Sequence, residues 1–578
     1  MNTPSDPTYT LHLYDHRFDA GLAQMWNESD DQWPGTFTDG VPMTEERIHD
    51  WMDRVEAIVK FIIVKNGGDE PEKVVGYGDL WNTATRPGSA YVALLNVSPA
   101  HQGKSLARRM LHRMVDWAVE NKYDRVTIGT WPANLKAMPL YKKVGFFWEP
   151  GTSVHMENYL PAVRLHPLAQ PYFNKHDWYK TYRRDLSQVE DDMRHPCTGD
   201  TKVYILRWEE DGDQLETVFD RNAQALTGFA TSGFDGAPAW AAFARAGESE
   251  PAQGIAYPME WEVINRSNVP LTVKISVKAD EGISIRHHTS YTLQPGERKM
   301  TTANFRVAPD APKYHGEHHD LPKPKITTHL EINGQKLEFG TGLRYRPAVE
   351  FSLHPSIVSL LPGVAQTVHL QLRSRAKRAL TGTVKLNLPD GLTAEWQTTS
   401  FETPSEGYAG IPLTLTAQKG GFYPLELCAE FDDAGTTVTT QPKRLPVVAV
   451  NPGGYAAGLG DEELILENDY FRITAKAKSG EAKIWNKDLQ REEALFREEI
   501  GPAFVPLDLY EQEYNLDVHQ TDGTAKAILT VRSTRFPGLV VGREIAVNAS
   551  PLIRIRGWVS NNTDETSRRI ATASARLH

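Results

Sequence analysis

The chain has little cysteine, no long apolar run and no excess of positive charge, and each shortage removes a class of protein. Two cysteines in 578 residues, Cys197 and Cys428, cannot build a disulfide framework, and neither has a second ligand at metal-binding spacing. No apolar stretch approaches the ~20 residues that a membrane-spanning helix needs. The N-terminus, Met1 to Thr10, is polar and proline-bearing, without a basic start leading into an apolar stretch. The expectation is a cytoplasmic protein with no membrane contact. Acidic residues outnumber basic ones, 74 to 63, for a formal net charge of −11, which argues against nucleic acid as the main partner. What remains is 40% hydrophobic and 24% charged residues, an ordinary globular composition. At roughly 150 residues per domain the length suggests about four domains.

The periodicity changes near residue 160. Before it, helical and strand patterns alternate. Leu22, Met25 and Trp26 share one helical face, and Thr44 can cap a second helix carrying Ile48, Trp51, Met52 and Val55. Segments 61–65, 73–81, 91–97 and 126–130 read as strands. The stretch 104–121 reads as a helix with Leu106, Met110, Met114 and Trp117 on one stripe, and 135–144 as a shorter one. Residues 161–250 read as a connector with some strands, 203–208 being the clearest.

After about residue 250 the pattern is strand and turn. Leu271, Val273, Ile275 and Val277 alternate with polar neighbours, and Asn333-Gly334 is a hairpin signal. Thr272-Val273-Lys274-Ile275, followed by Glu281-Gly282-Ile283, is echoed by Thr383-Val384-Lys385-Leu386 and then Asp390-Gly391-Leu392. That repeat suggests two homologous β-sandwiches, over 251–346 and 347–452, which resemble the Ig-like modules attached to bacterial glycosidases. The last segment, 460–578, contains Leu466-Glu467-Asn468-Asp469-Tyr470-Phe471 and Ile484-Trp485-Asn486-Lys487. It resembles the entry to the β-supersandwich domains of α-mannosidases and mutarotase-like proteins, in partial form.

Chemistry concentrates in the first domain. Leu94-Leu95-Asn96-Val97-Ser98-Pro99-Ala100-His101-Gln102-Gly103-Lys104-Ser105-Leu106-Ala107 reads as strand, loop and helix start. The first amides of a helix have no internal partners and the helix dipole adds positive potential there, so a pyrophosphate can bind if small side chains let it approach. Lys104, Arg108 and Arg109 add positive charge. A second run, Asn134, Ala137, Leu140, Tyr141 and Gly145-Phe146, follows at the next helix.

Both runs resemble the motifs of the GNAT superfamily of acetyl-CoA-dependent N-acetyltransferases, in order and in spacing. In that family the loop reads Arg or Gln, two residues, Gly, any residue, then Gly or Ala. Gln102 and Ala107 match, while Ser105 stands where the central Gly is expected. The resemblance implies a multidomain chain: an α/β GNAT-like acyltransferase domain over 1–160, then all-β sandwich domains. It implies acetyl-CoA as co-substrate, with no metal, bound by Leu95, Asn96, Val97, Gln102, Gly103, Lys104, Ser105, Leu106, Ala107, Arg108, Asn134 and Ala137. It also implies that strands 91–97 and 126–130 splay apart around the pantetheine arm, and that Tyr141 protonates the leaving thiolate. A phenol, with a pKa of about 10, is protonated at neutral pH and can supply that proton.

The acceptor ammonium, with a pKa near 10.4, needs a base. Many relatives carry a carboxylate on the strand entering the cofactor motif, and Tyr91 to Val97 contains none. Glu28, Asp30, Asp31 and Asp79 are the alternatives. The segment from Trp26 to Phe37 offers Trp33 and Phe37 beside Glu28 and Asp31, a combination suited to an amine such as an amino sugar or other small acceptor. Two readings compete with an acetyltransferase: a non-catalytic acyl-CoA sensor, and a carbohydrate-binding or scaffolding protein acting on a protein or glycan partner through its sandwiches. His315, His318, His319 and Asp320 read as a solvated loop rather than a metal site. His287 and His288, adjacent on a strand, point to opposite faces.

Overall fold

The computed structural model describes residues 8–577 other than 34–36, 39, 68–70, 84–85, 87, 313–320, 397–398, 502–508, 510–511, 522, 535, 537 and 563–569. The histidines at 315, 318 and 319 therefore lie outside the described residues. The chain forms two compact units. One comprises 1–251, 256–306 and 311–345; the other comprises 252–255, 307–310 and 346–578.

The first unit begins with an α/β domain. Its elements are β1 (Tyr9–Leu13), α1 (Asp19–Glu28), α2 (Glu45–Arg54), β2 (Val59–Lys65), β3 (Lys73–Asn82), β4 (Ser89–Val97), α3 (Leu106–Glu120), β5 (Arg125–Gly129), α4 (Met138–Val144), β6 (Phe147–Trp148) and β7 (His155–Asn158). The seven strands form one sheet in the order β1-β2-β3-β4-β5-β7-β6. Neighbours are antiparallel except β4 and β5, which run parallel. The Thr44 hydroxyl caps α2 by accepting from the Arg47 amide at 3.2 Å. The apolar stripe of α3 is buried through Leu106, Met110, Leu111, Met114 and Val115. Gly78 on β3 lets that helix lie close, because a Cβ there would come within 2.4 Å of the Met110 sulfur. The last helix is shorter than its periodicity suggests: α4 starts at Met138 rather than near Leu135. Pro139 fixes that start, since a proline lacking its N–H is tolerated only in the first turn.

The segment 161–250 is not a connector. After three short helices it supplies strands Tyr182–Arg183, Val203–Glu210, Asp213–Asp220, Ala225–Thr231 and Trp240–Ala246. These continue one eight-stranded sheet with Ala256–Asn265, Ile283–Ile285 and Arg298–Val307. A four-stranded sheet packs on it, and the buried Trp261 indole donates across to the Thr328 hydroxyl at 2.8 Å. In that second sheet Ile332 pairs Gln335 around Asn333 and Gly334, both at positive φ (48° and 82°), as the hairpin signal requires.

In the second unit, strands between Val349 and Ala449 form two sheets, and those between Tyr455 and Leu577 form two more. The last pair shares one core, with Leu464, Leu466 and Ile473 from one sheet meeting Ala527, Leu529 and Ile545 from the other. Among the described residues no helix is long and apolar enough to cross a membrane.

Candidate active site

The site starts from a break in the sheet. β4 and β5 pair from Ser89 with Arg125 up to Val92 with Ile128, and no further. Beyond that point β4 carries an irregularity opposite β3: Gly78 faces Leu95 and Leu80 faces Val92, so Asp79 stands against the two residues Ala93 and Leu94. The fully buried Asp79 side chain fills the gap in the ladder. Its Oδ1 accepts the Leu94 amide at 2.9 Å, and its Oδ2 accepts the Tyr77 hydroxyl at 2.9 Å and the Trp81 indole at 3.1 Å. Burial pushes this carboxyl above the usual carboxylate range, against the pull of those donors.

The parted strands open a cleft of about 1000 Å³. Its wall includes Leu95, Asn96 and Val97 of β4, then Gln102, Gly103, Ser105, Leu106, Ala107 and Arg108 at the start of α3, then Asn134, Ala137 and Tyr141. Asp31 and Trp33 line it from the α1–α2 loop. The Asn96 side-chain amide nitrogen is buried there without a hydrogen-bond partner among the described residues.

At the head of α3, Ser105 takes the left-handed conformation (φ 59°, ψ 17°) and makes no side-chain cap. The first amides of the helix are thereby left without a side-chain cap, and their residues, Leu106 to Arg108, line the cleft. Gly103, at φ 77°, has nothing within 4 Å of where a Cβ would stand. The Gln102 side chain turns back to the Val97 carbonyl at 3.2 Å. At α4, the Asn134 amide donates to the Thr130 hydroxyl at 2.9 Å and accepts from the Ala137 amide at 3.2 Å. The Tyr141 ring is 6% exposed, and burial, then Tyr91, pushes its phenol above the ordinary range. Gly145 ends α4 in the left-handed region (φ 99°), which turns Phe146 back toward the Tyr141 ring, 6.1 Å away.

Three of the expected site residues lie elsewhere. Lys104 donates to the Tyr9 hydroxyl at 2.9 Å and does not line the cleft. Glu28 accepts from Lys73 at 2.7 Å, Gln24 at 2.9 Å and Ser98 at 3.1 Å. Burial opposes its ionisation, but those bonds, led by Lys73, hold it below the usual range. Phe37 stacks on Trp26 at 4.0 Å, inside an aromatic core with Trp33, Trp51 and Tyr77. Asp30 accepts the Phe37 and Thr38 amides at 2.7 and 2.8 Å and so shapes the loop. Of the four candidate carboxylates, Asp31 alone lines the cleft.

Reading the sequence missed His101, Thr130, Trp131 and Lys143, all of which line the cleft. Thr130 had a signal: it is the residue just after β5, four residues before Asn134. Burial and then Lys104 push the His101 imidazole below its ordinary pKa range, and its Nδ1 lies 3.1 Å from the Tyr9 hydroxyl.

Residues 22–146 match the acetyltransferase (GNAT) family. They form a GNAT domain. Solved structures similar to it include the ribosomal-protein-S18-alanine N-acetyltransferase from Escherichia coli (15% identity, 26% of this chain, 92% of that one, TM-score 0.20). Two others are yncA from Salmonella typhimurium with its cofactor acetyl-CoA (20% identity, 26% and 94%, TM-score 0.22) and PaiA N-acetyltransferase from Thermoplasma acidophilum in complex with coenzyme A. The last is 14% identical over 26% of this chain and 98% of that one, at a TM-score of 0.21. No curated protein matches the sequence significantly. The GNAT match covers the parted strands, the α3 head and Tyr141, and leaves the β-sheet modules unnamed.

Proposed function

We propose that the GNAT domain transfers an acetyl group from acetyl-CoA to a primary amine. One observation carries this reading: the gap between β4 and β5, the uncapped head of α3 and the buried Tyr141 share a single cleft. Acetyl-CoA supplies an activated thioester. The amides of Leu106 to Arg108 hold its pyrophosphate, and Gly103 keeps the approach open. The free edge of β4 from Leu95 to Val97 and the unpartnered Asn96 amide bind the pantetheine arm, with Asn134 on the other side. Arg108, which reaches the Tyr179 hydroxyl at 3.4 Å, adds charge at the nucleotide end. Lys104, tied to Tyr9, is not part of this set.

Asp31 receives the acceptor ammonium beside the Trp33 ring and takes its proton to water. The free amine nitrogen then bonds to the acyl carbon while the carbon–sulfur bond breaks. Tyr141 gives its hydroxyl proton to the departing sulfur, and the proton shed by the acylated nitrogen returns through water to the Tyr141 oxygen. An amide and the CoA thiol are the products. Burial keeps Tyr141 protonated across the physiological range, so it stays a donor.

The test is calorimetric titration of acetyl-CoA into the full chain, into Tyr141→Phe and into a Gln102→Ala/Ala107→Glu double variant. Binding retained in Tyr141→Phe and lost in the loop variant supports the assignment and justifies an amine screen. Absence of binding to the unaltered chain rejects it.

A further inference from the structure

Away from the cleft, four ligand-type side chains meet where the chain enters α1 and crosses α2. His16 lies in the short turn His16–Phe18, Asp19 opens α1, and His49 and Asp53 stand one turn apart on α2. The two imidazoles lie with ring centroids 4.1 Å apart and planes 39° from parallel. Each places its Nδ1 3.0 Å from the same oxygen, Oδ2 of Asp19. The other Asp19 oxygen accepts the Tyr14 hydroxyl at 2.5 Å, and the Asp19 residue is 1% exposed.

The buried Asp19 carboxylate accepts at both Nδ1 atoms, which orients both rings and turns each Nε2 away from Asp19. Both Nε2 atoms face the Asp53 carboxylate, His16 at 3.3 Å from Oδ1 and His49 at 3.8 Å from Oδ2. One ligand atom from each of His16, His49 and Asp53 lies within 4.8 Å of the others. No lysine or arginine among the described residues bonds Asp53; Arg17 pairs with Asp15 at 3.3 Å, and Lys60 donates to the Met52 carbonyl at 2.7 Å. A cation seated between the two rings and this carboxylate would bond to all three. The spacing fits one: ligands at about 2.0–2.2 Å in a tetrahedral shell sit roughly 3.4 Å apart, and the two measured nitrogen–oxygen separations bracket that value.

We propose that His16, His49 and Asp53 form a surface site for a divalent transition-metal ion of the zinc class, with Asp19 as the positioning carboxylate behind both imidazoles. Two nitrogen donors with one carboxylate suit such an ion and not magnesium or calcium, which require oxygen ligands. The three ligands are about half exposed (48%, 50% and 59%), which leaves the fourth position open to water or an incoming group. The site stands apart from the acetyl-CoA cleft and does not depend on the acetyltransferase reading.

The experiment uses tag-free full chain stripped with EDTA. Zinc is titrated calorimetrically into the unaltered protein and into His16→Gln/His49→Gln, and cobalt absorption is recorded for both. The expected result is one fewer zinc equivalent in the double variant, together with loss of a tetrahedral cobalt spectrum. Asp19→Asn, which keeps all three ligands, should weaken this site ~10–100-fold. The double variant changes only half-exposed side chains, and circular dichroism checks its fold. Equal zinc stoichiometry and affinity in the unaltered and double-variant proteins would overturn the proposal, as would no zinc binding to the unaltered chain.

Discussion

Ala107→Glu separates the anion-binding role of the α3 head from its role in the fold, because the two respond with opposite signs. Ala107 is the second residue of α3 and lines the cleft, and the helix has no acidic residue in its first turn and no side-chain cap. A glutamate there lies on the favourable end of the helix dipole and should stabilise the free protein by about 0.3–1 kcal/mol. The same carboxylate stands beside the proposed pyrophosphate. At ~5 Å and an effective dielectric of ~20, each pair of unit charges costs about 3 kcal/mol, which is roughly two hundredfold in Kd. The thermal midpoint of the free protein should therefore hold or rise while acetyl-CoA affinity collapses. Ala107→Gln carries the bulk without the charge and should lose far less. Calorimetric Kd values for the three proteins, beside their melting curves, decide the matter. If Glu and Gln weaken acetyl-CoA binding equally, or Glu by less than about fivefold, the phosphates do not sit at the head of α3.

Tyr141→Phe should lower turnover ~10²–10³-fold, measured by thiol release with an acceptor from the amine screen, and leave acetyl-CoA affinity unchanged. Asp191→Asn should destabilise the first unit by about 3–5 kcal/mol in urea unfolding, because the Lys142 ammonium, 2% exposed and paired with that carboxylate, would remain buried without its counter-charge. Acidification should strip stability through His112, which burial and then Arg108 hold down to about 4 and whose Nε2 has no partner among the described residues. Its folded pKa lies below the unfolded value of 6.5, so its contribution is complete above 6.5 and is lost as pH falls toward 4. Between pH 7 and pH 5 this amounts to about 2 kcal/mol, and His112→Leu should flatten that part of the profile.

The cleft was legible in the sequence to the extent that its wall is continuous in the chain. The head of α3 follows β4 within one loop, and Asn134 to Phe146 is one uninterrupted stretch, so the resemblance to the GNAT motifs could be drawn from contiguous residues. The partners of those side chains were not legible, because they arrive from distant segments: Tyr9 on Lys104, Lys73 on Glu28, the aromatic core on Phe37. The eight-stranded sheet was hidden for a different reason. Strands Ala225–Thr231 and Trp240–Ala246 lie inside it and are buried along nearly their whole length, so their residues do not alternate apolar with polar. Small residues are required there as well: a Cβ on Gly228 would come within 2.4 Å of the Phe243 ring. The resulting Ala- and Gly-rich run resembles a linker in composition while being core in structure.

Ser105 joins the two kinds of failure. Its departure from the family's glycine is visible in the sequence, yet its meaning depends on a backbone angle. At φ 59° the serine occupies the left-handed region that the glycine would enter freely, at a cost of about 1–2 kcal/mol. The serine thus takes, with local strain, a conformation that a glycine enters freely, and Leu106 to Arg108 line the cleft behind it. A substitution that looks like loss of the binding motif is therefore compatible with the proposed binding. In the proposed function the chemistry at this position is borne by backbone N–H groups, which no side-chain comparison can register.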